Sequence, residues 1–135
     1  MYEIKVDGRV YYSPALSDAE NQIISPHLKC EFNKTDSFSF TLPPGHAMQS
    51  AISRMKSIIT VTANGTEIFR GRVLADKQDY FNQLEVNCEG EMSFLLDSLQ
   101  RPYKFKGTST EFLQMVLEKH NQQVKADKRF SLGVV

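Results

Sequence analysis

Apolar and polar side chains alternate along most of the first ninety residues. Tyr2, Ile4 and Val6 alternate with Glu3 and Lys5, and Asp7-Gly8 offers a two-residue turn into residues 9–12. That pattern predicts an opening hairpin. Residues 13–26 hold two prolines and several turn formers and read as a loop. Leu28, Cys30 and Phe32 then alternate with Lys29, Glu31 and Asn33, and Phe38, Phe40 and Leu42 with Ser37, Ser39 and Thr41. A period of two puts one row of each strand on a buried face. Residues 34–36 connect the two strands, and Pro43-Pro44-Gly45 ends the second, because proline cannot continue a ladder. Met48, Ile52 and Met55 recur at helical spacing, which predicts a short helix over 46–54.

Asn64-Gly65 is the strongest short hairpin signal in the chain. Both central residues of a type I′ turn need positive φ, which these two tolerate. A regular ladder from this turn sets Val61 against Ile68 but Ile59 against Arg70. A charge opposite a core residue is a conflict, and a β-bulge at Gly71 that shifts the register by one would remove it. The strand continues to about Lys77, a loop follows over 79–83, and Leu84, Val86 and Cys88 alternate in the last clear strand, which Gly90 ends.

The period then changes. Met92, Leu95, Leu96 and Leu99 repeat every three or four residues, so a short helix follows, and Arg101-Pro102 stops it. Thr108-Ser109-Thr110-Glu111 is a capping-box pattern ahead of a helix over 110–121. Phe112, Leu113, Val116 and Leu117 make its apolar stripe, opposite Gln114, Glu118 and Gln122. A helix this short is marginal alone, so the stripe must dock on something. Phe130, Leu132 and Val134 alternate as an edge strand does, and the chain stops one residue later. The reading is a mainly β domain over 1–100, a small β-barrel of antiparallel hairpins with short helices. Residues 101–135 supply a helix and a strand that begin a following, truncated domain.

Composition narrows the function. The chain has 135 residues, 41% hydrophobic and 24% charged, with 16 basic against 16 acidic side chains. Zero formal charge argues against a nucleic-acid or anionic-membrane binder, whose affinity rests on a basic surface. No apolar run approaches the roughly 20 residues of a membrane span, and the start lacks the pattern of a secretory signal. Cys30 and Cys88 sit at apolar positions of strand-like runs and read as two buried, reduced thiols.

No catalytic, cofactor or metal motif emerges. The phosphate loop, the zinc helix and the nucleophile elbow are all missing from the sequence. His27 and Cys30 are three apart, which on a strand points them to opposite faces. His46 and His120 have no second ligand nearby in sequence, and Glu89 and Glu91, flanking Gly90, read as a solvated strand end. Tyr80 and Phe81 lie side by side in the 79–83 loop. They either anchor a partner, as exposed aromatics do, or fold back over the barrel end. Together with Phe112 and Val116 of the helical stripe they are the candidate partner contacts.

Taken in order, these segments resemble the N-terminal region of phage tail hub proteins, the tail-associated proteins of siphophages and prophages sometimes described as prophage tail endopeptidases. LKCEFNKTDSFSFTLPP over 28–44, SIITV over 57–61, EIFRGRVL over 67–74, CEGE over 88–91, QRPY over 100–103, residues 110–121 and KRFSLGV over 128–134 carry the resemblance. It implies a β-barrel related to tube-forming domains of baseplate hubs, and a homotrimer that joins the tail tube to the tail tip. It also implies the distal tail protein and the tape-measure protein as partners, passage of DNA without specific binding, and a place in the virion tail after assembly in the host cytoplasm. Any hydrolase region would lie downstream of this chain, so no enzymatic activity is carried over. The alternative is a cell-wall saccharide-binding or peptidoglycan-degrading module of a tail-associated lysin. The absence of tryptophan counts against a saccharide site.

Overall fold

The computed structural model describes residues 1–16 and 21–134. It divides into two compact units, Met1–Glu91 and Met92–Val135. The division falls after Glu91, so the turn of helix that follows belongs with the second unit. Part of the 13–26 loop, residues 17–20, lies outside the described residues.

The first unit is built from seven strands: β1 (Tyr2–Val6), β2 (Arg9–Tyr12), β3 (Ile24–Lys29), β4 (Ser37–Leu42), β5 (Ile58–Ala63), β6 (Thr66–Gln78) and β7 (Leu84–Gly90). They form one antiparallel sheet in the order β2-β1-β5-β6-β7-β4-β3, curled into a half-barrel. The mainly β, hairpin-built architecture is thus the one the alternation predicts. The cylinder is half closed, with β2 and β3 as its two edges. The inward rows named from period two are the core: Ile4 and Val6, Phe38, Phe40 and Leu42, Ile59 and Val61, Val86 and Cys88 are all buried, with Phe69 and Val73 of β6 between them.

Asp7-Gly8 and Asn64-Gly65 both turn the chain with positive φ, at 49° and 84° and at 49° and 80°. The register conflict after Asn64-Gly65 is resolved by a bulge, but earlier than Gly71. The shift falls between the Thr62↔Glu67 and Val61↔Phe69 pairs, so Ile68 is the extra residue. Moving the bulge to Ile68 sets Val61 against Phe69 and Ile59 against Gly71, which keeps both core residues opposite uncharged partners. A second bulge leaves Leu74 out of the β6–β7 ladder and exposed.

Three local expectations are corrected. β3 runs from Ile24 and ends at Lys29, and Pro26 sits within it. An edge strand tolerates proline, and Ser25 at φ 48° and a register break before His27 accommodate it. The alternation through Cys30 and Phe32 therefore builds no strand. Residues 31–34 turn with Asn33 at φ 58°, Cys30 is exposed, and Phe32 is 92% exposed. Finally, the helix expected over 46–54 shrinks to α1 (Met48–Ala51). Met48 is buried as its spacing predicts, but Met55 is exposed at φ 59°.

A 3₁₀ helix spans Glu91–Asp97, all but its first residue in the second unit. Its buried residues are Ser93 and Phe94, while Met92, Leu95 and Leu96, and Leu99 beyond its end, are exposed instead of packed. α2 (Ser109–Asn121) starts with the expected capping box. The Glu111 amide donates to Thr108 Oγ1 at 3.2 Å, and the Thr108 amide donates to Glu111 Oε2 at 2.7 Å. That amide bond, then the Thr108 hydroxyl, holds the Glu111 carboxyl below its ordinary value. The buried residue of α2 is His120, not a member of the apolar stripe. Its Nδ1 lies 2.8 Å from Ser98 Oγ, and its Nε2 lies 3.0 Å from the Lys128 carbonyl. The carbonyl can only accept, so Nε2–H donates to it. The expected strand at Phe130, Leu132 and Val134 does not form. The Asn121 side chain takes both backbone groups of Phe130, donating to its carbonyl at 2.7 Å and accepting from its amide at 2.9 Å. A side chain thereby occupies the place of a neighbouring strand.

Candidate interaction surface

The β6–β7 loop is organised around one aspartate. Asp79 Oδ1 accepts from the amides of Phe81 and Gln83, each at 2.9 Å. The Asp79 amide donates to the Gln83 carbonyl at 3.0 Å, and Asn82 adopts φ 60°. Gln49 Nε2 braces the loop from α1, donating to the Asn82 carbonyl at 3.3 Å and to the Pro43 carbonyl at 2.8 Å. These bonds leave two aromatic rings at the tip with nowhere to fold back. Tyr80 is 95% exposed and Phe81 73%, their rings edge-to-face at 5.7 Å. Neither ring folds back over the barrel end. Phe112 is half-exposed, with its ring 5.4 Å from Phe105 and 6.4 Å from Tyr103, and Val116 is partly buried. Each belongs to the second unit.

The half-barrel holds a second surface that period-two reasoning missed. A cleft of about 340 Å³ opens where β1, β2, β3 and β4 meet the β5–β6 hairpin, lined among others by Tyr2, Ile4, Tyr12, Leu28, Phe38 and Ile68. Among the described residues its lining includes no carboxylate, imidazole, amine or thiol. Alternation marks Ile4 and Phe38 as inward-facing, but the gap between them exists only because the sheet stops half closed.

The charged residues singled out from sequence are spent on the sheet. Glu89 and Glu91 are not a carboxylate pair: Glu89 accepts from Arg72 Nε at 2.6 Å, and Glu91 bonds Arg70. Arg72 is only 3% exposed and Glu89 partly buried, so the pair joins a buried cation of β6 to β7. Among the described residues no three His, Cys, Asp or Glu side chains group as a metal site, and no helix is long and apolar enough to cross a membrane.

His46, expected at the start of a helix, is buried, and its Nδ1 accepts the Met48 amide at 3.0 Å. Its Nε2 is buried with no hydrogen-bond partner among the described residues. Burial pushes the imidazole below its ordinary value, and the nearby Asn21 backbone offsets only part of that shift. The unfolded chain therefore takes up the proton more readily than the folded one. The stability His46 contributes is present above a pH of about 6.5 and is lost as pH falls. Urea midpoints of the wild type should drop between pH 7.5 and 5.5 by more than those of His46→Asn, which keeps an acceptor for Met48. Equal drops in the two proteins would contradict this role.

Both cysteines are free thiols. Burial pushes Cys88 up to about 12, while Cys30 is raised by slight desolvation and by Asp36. Since only the thiolate reacts, a disulfide reagent at neutral pH should modify one thiol in the native chain. Cys88 should appear only on unfolding, and Cys30→Ser should abolish the native signal. Two reactive thiols in the folded protein would refute the assignment.

No protein-family model matches this chain, and no curated protein matches it.

Proposed function

We propose that this chain is a structural subunit of a phage tail hub, part of the ring that joins the tail tube to the tip and conducts DNA. The observation that carries the reading is a half-barrel of antiparallel hairpins whose developed surfaces are an apolar cleft and a braced aromatic tip. Such surfaces suit assembly rather than turnover, because a reaction needs converging acid, base or nucleophile groups. The resemblance over 28–44, 57–61, 67–74 and 88–91 falls on β4, β5, β6 and β7 and the segments joining them, the strands that build this scaffold. Equal numbers of acidic and basic side chains suit a conduit that must not hold passing DNA.

The partners on this reading are further copies in a homotrimer, the distal tail protein and the tape-measure protein, and the place of the protein is the virion tail. Co-expression of the hub with its distal tail protein, followed by electron microscopy, tests it. Ring-shaped assemblies containing both proteins are the expected result. A chain that forms no such ring but binds purified cell-wall glycan alone, or clears peptidoglycan in a zymogram, would replace this reading with a lysin module.

A further inference from the structure

We propose that copies of this chain associate head to tail, the Tyr80–Phe81 tip of one inserting into the apolar cleft between the half-barrel edges of the next. The two surfaces match in chemistry. One is a pair of largely exposed aromatic rings, and the other is a hollow lined by aliphatic and aromatic side chains. They match in size as well. A cavity of about 150 Å³ lined by Leu, Ile and Phe accepts one benzene ring, so about 340 Å³ is room for two rings.

Their placement forbids the contact within one chain. Ile68 lines the cleft near the start of β6, while the tip follows its last residue, Gln78. Ten residues of strand separate them, roughly 30 Å at 3.2–3.4 Å per residue. Knob and hole therefore sit toward opposite ends of one half-barrel. A contact between two different patches is heterologous, and its repetition gives a closed ring or an open chain of copies.

Area sets its strength. Large aromatic side chains bury about 150–250 Å² each, so the tip can withdraw about 300 Å² and the cleft a similar amount. That falls short of the roughly 1,200–2,000 Å² of a stable interface. A single contact is thus weak and concentration-dependent, with the rings as its hot spot. The inference goes beyond the tail-hub reading and does not depend on it. A hub could close its ring through other surfaces, and a protein with another role could still stack through this one.

Sedimentation equilibrium of the full 135-residue chain across a wide concentration range tests it. The wild type should rise above monomer mass with concentration. Tyr80→Ser/Phe81→Ser, which lacks the knob, and Ile68→Asp, which places a charge in the cleft, should each associate at least about tenfold more weakly. Each variant keeps one intact surface. Mixed together, they should form a 1:1 heterodimer that grows no further, because the second knob and the second hole are both disabled. If Ile68→Asp loses its cooperative melt, Tyr2→Asp at the cleft mouth takes its place. A wild type that stays monomeric at millimolar concentration, a knob-less variant that associates like the wild type, or a mixture without heterodimer would overturn the proposal.

Discussion

Truncating Phe40 to alanine should lower the unfolding free energy by about 3–5 kcal/mol. Phe40 is 1% exposed at the middle of β4, opposite Val86 of β7, and its ring lies 5.1 Å from that of Phe38. Its removal leaves a hole on the inner face of the sheet, where strands on both sides are held by ladders and cannot collapse into it. Domains of this size are stable by only about 5–15 kcal/mol, so the loss takes a large share of the total. Urea unfolding followed by circular dichroism measures it. A midpoint shift equivalent to under about 1 kcal/mol would mean the half-barrel can close over the gap, contrary to the packing described.

Gly71→Ala should cost nearly as much by the opposite mechanism. A Cβ at this position would stand 2.1 Å from the Glu89 carbonyl oxygen and 2.8 Å from Phe69 Cζ. The Phe69 ring is a side chain and can yield, but the Glu89 carbonyl is backbone, held by the Gly71↔Gly90 and Arg72↔Glu89 pairs of the β6–β7 ladder. Relief requires moving one strand against the other, so the cost should reach or exceed the upper end of the ~1–3 kcal/mol typical of overpacking. Gly133→Ala, where a Cβ meets nothing within 4 Å, is the control and should change stability by less than about 0.5 kcal/mol. Equal melting temperatures for the two variants would show that Gly71 is not the point of close approach.

Gly71 also shows how sequence and structure divided the account. In a regular ladder its neighbour Arg70 falls opposite the core residue Ile59; that flagged a register conflict, and a bulge does resolve it. The bulge falls at Ile68 because only the neighbouring strands can say which slip buries the most. With Val61 on Phe69 and Ile59 on Gly71, the row Ile4, Val61, Phe69 runs unbroken across β1, β5 and β6. The two-residue turns were legible for a local reason: Asp7-Gly8 and Asn64-Gly65 carry their φ preferences in their own backbones. The capping box at Thr108 and Glu111 was legible in the same way, since its bonds close within four residues.

What misled was alternation without a partner. Leu28, Cys30 and Phe32 alternate as well as Phe38, Phe40 and Leu42 do, yet β4 is flanked by two strands and the run after Lys29 by none. Phe130, Leu132 and Val134 alternate too, and Asn121 takes the hydrogen bonds a neighbour would have taken. Met92, Leu95, Leu96 and Leu99 keep helical spacing, but the helix that forms is 3₁₀ and ends at Asp97, and Ser93 and Phe94 are buried in their place.

The order of apolar and polar residues by itself determined that this chain is mainly a β-sheet of antiparallel hairpins, which side chains of its paired strands face the core, and where its two-residue turns and capped helix lie. Those features depend on neighbours a few residues away. Tertiary structure alone decided that the cylinder stops at half, which leaves an apolar cleft between its edges, and that Asp79 and Gln49 lock the Tyr80–Phe81 tip outward. Both depend on which distant strands pair and which do not, and side-chain period carries no record of that.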